Sequence, residues 1–169
     1  MYLHSIHLNP VIPPPRKTQK DIKVRLSTKG RYAVTAMMDL AMRDKGQPVS
    51  LAEISQTQGI SNSYLEQLFR KLSQNNLVYG TRGPRGGYRL SRPADEINVA
   101  EIIIAVDEKT DSRNCEGRAD CDNGNACLTH ELWEELSERL QGFLSSITLG
   151  EYINRPNVLS WQEKHSASG

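Results

Sequence analysis

Two short helical patterns hinged on one glycine, between Ser50 and Leu72, constrain this chain more than any other stretch. Ser50-Leu51-Ala52-Glu53 has capping-box spacing: the serine side chain accepts from the third helical N–H, and the glutamate reaches back to the cap. The helix so started runs to Gln58, and Gly59 fits the left-handed position after a helix end, where a Cβ is costly. Ser61 is a candidate N-cap for the next helix, whose Leu65, Leu68, Phe69 and Leu72 recur at i, i+3, i+4 and i+7. Two helices joined by so short a turn form a helix-turn-helix or, failing that, a plain helical hairpin with a solvated polar face.

A helix-turn-helix suits duplex DNA, because the first helix braces the second while the exposed face of the second enters the major groove. That face carries Asn62, Ser63, Glu66, Gln67, Arg70 and Lys71. Short hydrogen-bonding side chains near its N-terminus suit base edges, and the cations that follow suit phosphates. Glu66 is the awkward member. A carboxylate beside phosphates is costly unless it accepts from a cytosine amino group, so Glu66 is a candidate specificity element that penalises other sequences. Val78 to Leu90 then breaks the helical period and reads as two short strands around a Gly/Pro turn. Arg82, Arg85 and Arg89 cluster there around Gly83, Pro84, Gly86 and Gly87. Glycines allow close backbone approach, and arginines favour the negative potential of a narrow minor groove. No Gly-Lys-Ser/Thr follows, which argues against a nucleotide-binding loop. An exposed basic hairpin without a ligand is the plainer alternative. Together these elements read as a winged helix-turn-helix.

Around this unit the pattern is mainly α. Ala33, Val34, Met37, Leu40 and Ala41 predict a helix that begins at Ser27 and stops near Gly46. Asn98 and Glu101 are placed to cap a helix that buries Val99, Ile102, Ile103 and Val106. Leu132, Leu136, Leu140, Phe143, Leu144 and Ile147 form one long stripe, buried either against a partner subunit or in the chain's own core. Thr148 and Glu151 are spaced to cap a last short turn, and the chain is expected to fray from Ser160. The sequence therefore divides into a disordered tail (1–23), a winged helix-turn-helix domain (24–107), a metal-binding loop (108–130), a dimerisation helix with its final turn (131–155) and a C-terminal tail (156–169).

The net charge of +1 hides an asymmetry. Fifteen Lys/Arg stand against five Asp/Glu between Arg16 and Arg92, whereas six stand against fifteen from Pro93 onward. The basic half suits a polyanion, and the acidic half would be repelled by one. All three cysteines, Cys115, Cys121 and Cys127, lie in the acidic half, and His130 follows them. Between Asp111 and Ala126 only two cysteines and two alanines are apolar, so burial cannot order this loop. Three thiolates and an imidazole around a metal can.

An odd cysteine count without an export signal argues against a disulfide framework. Structural zinc usually has narrower gaps than the five residues found between these cysteines. A bare thiol redox sensor wants an electropositive setting, which Glu116, Asp120 and Asp122 deny. An RNA-binding zinc finger wants aromatic side chains between its ligands, and this loop has none. An iron–sulfur cluster, larger than one ion, suits the wide gaps. An unliganded linker, with His130 as a surface residue of the next helix, stays open as the plainest alternative.

No apolar run approaches the roughly 18 residues that span a bilayer. Met1 to Lys23 lacks a basic-then-apolar secretory pattern, so the reading is cytoplasmic. We find no paired carboxylate, nucleophile motif or cofactor loop of an enzyme.

Longer motifs carry a resemblance. They are Ser27-Thr28-Lys29-Gly30-Arg31-Tyr32-Ala33-Val34, Gly59-Ile60-Ser61, Ser63-Tyr64-Leu65-Glu66-Gln67-Leu68-Phe69, Arg82-Gly83-Pro84, Gly86-Gly87-Tyr88, and Cys127-Leu128-Thr129-His130 preceded by Cys115 and Cys121. From Arg25 to about Asn154 the chain resembles the IscR family, bacterial winged helix-turn-helix regulators of iron–sulfur cluster assembly. The resemblance implies a homodimer joined by the long helix, with a 2Fe-2S cluster held by Cys115, Cys121, Cys127 and His130. It implies that the cluster-bound form represses the operon for the assembly machinery, which is also the cluster donor. The cluster-free form then binds a second promoter class. It further implies DNA contact by Ser63, Gln67 and Arg82, and a part for Glu66 in telling the two classes apart. Arg85 joins the contact set from its place in the wing. Residues 1–23 have no counterpart in the family, so translation from a GTG codon at Val24 is an expectation.

Overall fold

The computed structural model describes residues 27–106 and 127–166. The expected tail over 1–23, with Cys115, Cys121 and most of the loop that carries them, lies outside the described residues. Helix α1 (Thr28–Arg43) starts at an N-cap on Ser27 and buries Ala33, Ala36, Met37 and Leu40. Helix α2 (Leu51–Gln58) carries the full capping box. The Glu53 N–H donates to Ser50 Oγ at 3.3 Å, and the Ser50 N–H donates to Glu53 Oε2 at 2.8 Å. Gly59 ends the helix at φ +65°, the conformation its missing Cβ allows.

Helix α3 (Asn62–Gln74) follows, with Leu65, Leu68, Phe69 and Leu72 buried as the stripe requires. Ser61 stands at its N-cap, but only its carbonyl is used, accepting from Tyr64 and Leu65. The far end of α3 holds a device that periodicity does not reveal. Asn76 takes φ +56°, and its N–H donates to the Ser73 carbonyl at 3.1 Å while Leu77 donates to Leu72 at 3.0 Å. That is a Schellman closure, with the hydrophobic pair Leu72 and Leu77 buried beneath it.

Strands β1 (Val78–Thr81) and β2 (Gly87–Leu90) pair antiparallel, Val78 opposite Leu90 and Thr81 opposite Gly87. Tyr88 exchanges two backbone hydrogen bonds with Val49, at 2.8 and 3.0 Å, so the wing leans on the segment between α1 and α2. This approach is why Gly87 has no side chain: a Cβ there would lie 2.4 Å from the Val49 carbonyl oxygen. The Tyr88 ring packs on Phe69 of α3 at a centroid distance of 4.8 Å. The wing is therefore fixed relative to the helix it flanks.

A 3-10 turn (Ala94–Glu96) leads to helix α4 (Val99–Ala105), where Asn98 and Glu101 cap each other at 3.0 Å in both directions. Helices α5 (His130–Ser145) and α6 (Leu149–Ile153) complete the expected set, with Thr148 accepting from the Glu151 N–H at 3.1 Å. The starts of α4 and α6 are strapped together: Val99 donates to Ile147 and Leu149 to Ile97, both at 2.9 Å. The main core holds Met37, Leu40, Phe69, Leu72, Ile102 and Leu149 fully buried, and a smaller cluster of Val99, Ala100, Ile103 and Leu144 joins α5 to α4.

Two expectations need correction. The long stripe does not lie wholly on one helix, because α5 ends at Ser145 and Ile147 belongs to the strap. The chain also does not fray from Ser160, since helix α7 (Pro156–Ser166) occupies most of the expected tail. Pro156 suits a first helical position, its fixed φ being preset and its missing N–H unneeded. Half-buried Val158 and Trp161 face Met38 and Met42 of α1 across a small cavity, and this tertiary support is invisible in a local pattern.

Candidate nucleic-acid interface and cluster site

The amphipathic pattern of α3 divides cleanly. Its apolar stripe is buried, while Asn62, Ser63, Glu66, Gln67 and Arg70 are exposed along the other face. On that face Asn62 Nδ2 donates to Glu66 Oε1 at 2.9 Å. Lys71 is half-buried beside Lys29 of α1. The close approach of the Lys29 side chain, then desolvation and like-charge repulsion, hold the Lys71 pKa below the usual lysine value. Two cations brought this close suit a phosphate between them.

The wing splits its three arginines. Arg82 and Arg85 are exposed in the turn, free of the strands, where a groove would meet them. Arg89 is engaged elsewhere: its Nε donates to Asp44 Oδ1 at 3.1 Å, and its Nη2 lies 3.0 Å from the same oxygen as an ion pair. The other Asp44 oxygen accepts from the Leu90 N–H at 3.2 Å. Arg89 thus ties the wing to the end of α1, which leaves Arg82 and Arg85 as the exposed arginines of the wing.

Between α1 and α2 lies a brace that the sequence analysis did not single out. Asp39, 1% exposed, accepts from Arg43 on its own helix and from Gln58 Nε2 of α2 at 2.9 Å. Arg43 also donates to Thr57 Oγ1 at 2.7 Å. An acid on the buried face of α1, four residues before an arginine, was the available signal.

At the other candidate site, Cys127 and His130 stand together at the entrance of α5. The His130 N–H donates to the Cys127 carbonyl at 3.0 Å. Cys127 is half-buried and His130 is 8% exposed, so the histidine is not a surface residue of the long helix. Thr129 Oγ1 sits 3.8 Å from Cys127 Sγ and accepts from Trp133 Nε1 at 3.0 Å, which fixes the first turn. Cys115 and Cys121 lie outside the described residues, and among the described residues no three His, Cys, Asp or Glu side chains converge. A sheltered thiol and a sheltered imidazole three residues apart fit as half of a four-ligand soft-metal or iron–sulfur set.

The packing of α5 leaves an apolar surface uncovered. Leu144 is buried against Val99, Ala100 and Ile103 of α4, but Leu132 and Phe143 are 58% and 63% exposed. Ile104 of α4 is exposed as well.

No helix among the described residues is long and apolar enough to cross a membrane. The family model for Rrf2, described as iron-dependent transcriptional regulator, matches residues 26–155. The chain is 54% identical over 141 residues to the HTH-type transcriptional regulator IscR of Cronobacter sakazakii, covering 83% of this chain and 87% of that one. It is 57% identical over 136 residues to IscR of Photorhabdus laumondii, covering 80% and 83%. Among solved structures, IscR of T. potens matches with a TM-score of 0.63 at 32% identity, over 86% of this chain and 92% of that one. CymR, the global cysteine regulator of B. subtilis, matches with a TM-score of 0.66 at 32% identity, over 77% and 96%. These relatives are regulators and not enzymes, and this chain belongs to the Rrf2 family of winged helix-turn-helix transcriptional regulators.

Proposed function

We propose that the chain is a homodimeric repressor of the IscR kind, whose choice of promoter is set by a 2Fe-2S cluster on Cys115, Cys121, Cys127 and His130. The observation that carries the DNA reading is α3: a fully buried apolar stripe holds an exposed face of Ser63, Glu66 and Gln67, beside a wing bearing Arg82 and Arg85. Ser63 and Gln67 meet base edges in the major groove, and Arg82 and Arg85 reach the adjacent backbone or minor groove. Glu66 accepts from an exposed base amino group and repels sites that offer none.

Uncovered Leu132 and Phe143 support a second copy of the chain along α5. Burying such a side chain is worth about 1.5–3 kcal/mol, and a two-fold pair of α3 helices then meets sites roughly one DNA turn apart. When bound, the cluster supplies a redox-active and labile centre. Cys127 and His130 hold it at the head of the dimerisation helix, so ligation bears on the element that sets the spacing of the two reading helices. Only a difference in affinity between the two forms makes this a switch. The cluster-bound form represses the assembly operon, the cluster-free form binds a second promoter class, and the assembly machinery is the donor. A protein that works on promoter DNA and draws on that machinery acts in the cytoplasm.

The test is the absorbance spectrum and the iron, sulfide and zinc content of protein purified without oxygen. Visible charge-transfer bands with about two iron and two sulfide per chain, lost in Cys121→Ala, are expected. A colourless protein with stoichiometric zinc would leave a DNA-binding regulator whose loop is structural. Repression unchanged at every promoter in Cys115→Ala would remove the cluster as the control element.

A further inference from the structure

We propose that Asn62 is a specificity-determining residue, which positions the Glu66 carboxylate on the base-reading face of α3. The inference rests on the reading of α3 as the groove-entering helix. Both side chains are exposed, and Asn62 Nδ2 donates to Glu66 Oε1 at 2.9 Å across one helical turn. Residues at this spacing lie one above the other on the same face. Asn62 is the first residue of α3, so the bond draws the carboxylate toward the helix N-terminus. The unpaired N–H groups there carry a partial positive charge that favours an anion.

The consequence is a held acceptor. With Oε1 on the amide, Oε2 is left to meet a base. A held carboxylate accepts from the amino group of cytosine or adenine and repels the O6 and N7 atoms of guanine and the O4 atom of thymine. A loose one, on a long and exposed side chain, swings away from a wrong base and forfeits the penalty. Discrimination through Glu66 therefore depends on Asn62 even where Asn62 touches no base. A direct contact of Asn62 with adenine would use the same amide that makes the clamp, so the two roles compete and are separable by experiment.

A duplex is first selected from randomised DNA with the wild-type chain. Equilibrium binding to that duplex and to its single base-pair replacements is then measured for wild type, Asn62→Ala, Glu66→Ala and the double variant. Asn62→Ala is expected to lower selectivity against the replacements that Glu66 governs by roughly 3- to 10-fold, with salt dependence unchanged. In the Glu66→Ala background, Asn62→Ala changes selectivity no further. Asn62→Gln, which keeps an amide donor on the same face, retains most of it. Unchanged selectivity in Asn62→Ala overturns the inference, and so does an equal loss in both backgrounds, which would make Asn62 a direct base reader. Failure of the wild-type chain to enrich any duplex removes the DNA reading of α3 itself, a different outcome from wild-type selectivity that Asn62→Ala leaves intact.

Discussion

Replacing Asp39 by alanine tests whether the helix-turn-helix is held by packing alone or by the polar brace under it. The carboxylate is 1% exposed and takes a hydrogen bond from Arg43 and one from Gln58. Hydrogen bonds to a charged group contribute about 1.5–3 kcal/mol each, and leaving buried partners without one adds to the loss. Here the partners are only partly buried: Arg43 is 36% exposed and keeps Thr57, so water restores some of what is removed. The net cost of Asp39→Ala is therefore about 2–4 kcal/mol, and Asp39→Asn, which keeps an acceptor for Gln58, costs about half of that. With a urea m-value of roughly 2 kcal/mol/M, the unfolding midpoint of the alanine variant falls by about 1–2 M at constant m. A midpoint change worth less than about 0.5 kcal/mol would refute the reasoning, because surface substitutions do no more. A double cycle with Gln58→Ala locates the effect. A coupling energy within about 0.3–0.5 kcal/mol of zero would mean that the bond between α1 and α2 holds nothing.

Gly87→Ala puts a Cβ far inside contact distance of the Val49 carbonyl, so the wing must lift; a loss of about 1–3 kcal/mol and of DNA affinity with retained helical circular dichroism is expected. Arg85→Ala should reduce the slope of log affinity against log salt by about 1, whereas Arg89→Ala, which breaks the Asp44 tie, should lower thermal stability and leave that slope near its original value. The Glu53 carboxyl is held below its usual pKa by its side-chain and backbone hydrogen bonds with Ser50, helped by nearby Arg43 and opposed by partial burial. Its folded-state pKa is thus the lower one, so its contribution is present above the ordinary glutamate pKa and disappears as pH falls through the depressed value; melting temperatures of Glu53→Gln and wild type should converge in that acid range.

What was legible in the sequence was local. Both capping boxes, the Gly59 turn and the stripe of α3 are written within one or two helical turns, and each follows from backbone groups that must find a partner nearby. What was not legible depended on distance along the chain. Charge alone grouped Arg89 with Arg82 and Arg85, but its partner Asp44 lies 45 residues earlier and reaches it only because the wing folds back on α1. Helix α7 was missed for a similar reason. Its hydrophobic signal is little more than Val158 and Trp161, enough when α1 supplies the other wall and too weak to read alone. The closure at Asn76 needed a left-handed asparagine, which sequence reports far less plainly than a glycine.

The placement of the two described ligand candidates bears on how ligation could be felt at α3. The described residues stop at Val106, just past α4, and resume at Cys127, just before α5. Asn75, closing α3, donates its side-chain amide to the Ala105 carbonyl at 3.3 Å, and Leu144 of α5 is buried against α4. In the proposed function, ligation by Cys127 and His130 would act at the head of α5, and α4 stands between that helix and α3: it takes the Asn75 hydrogen bond on one side and Leu144 on the other. Close-packed interfaces shift between discrete arrangements more readily than they stretch, so a displacement of α5 would reach α3 through α4 as a unit.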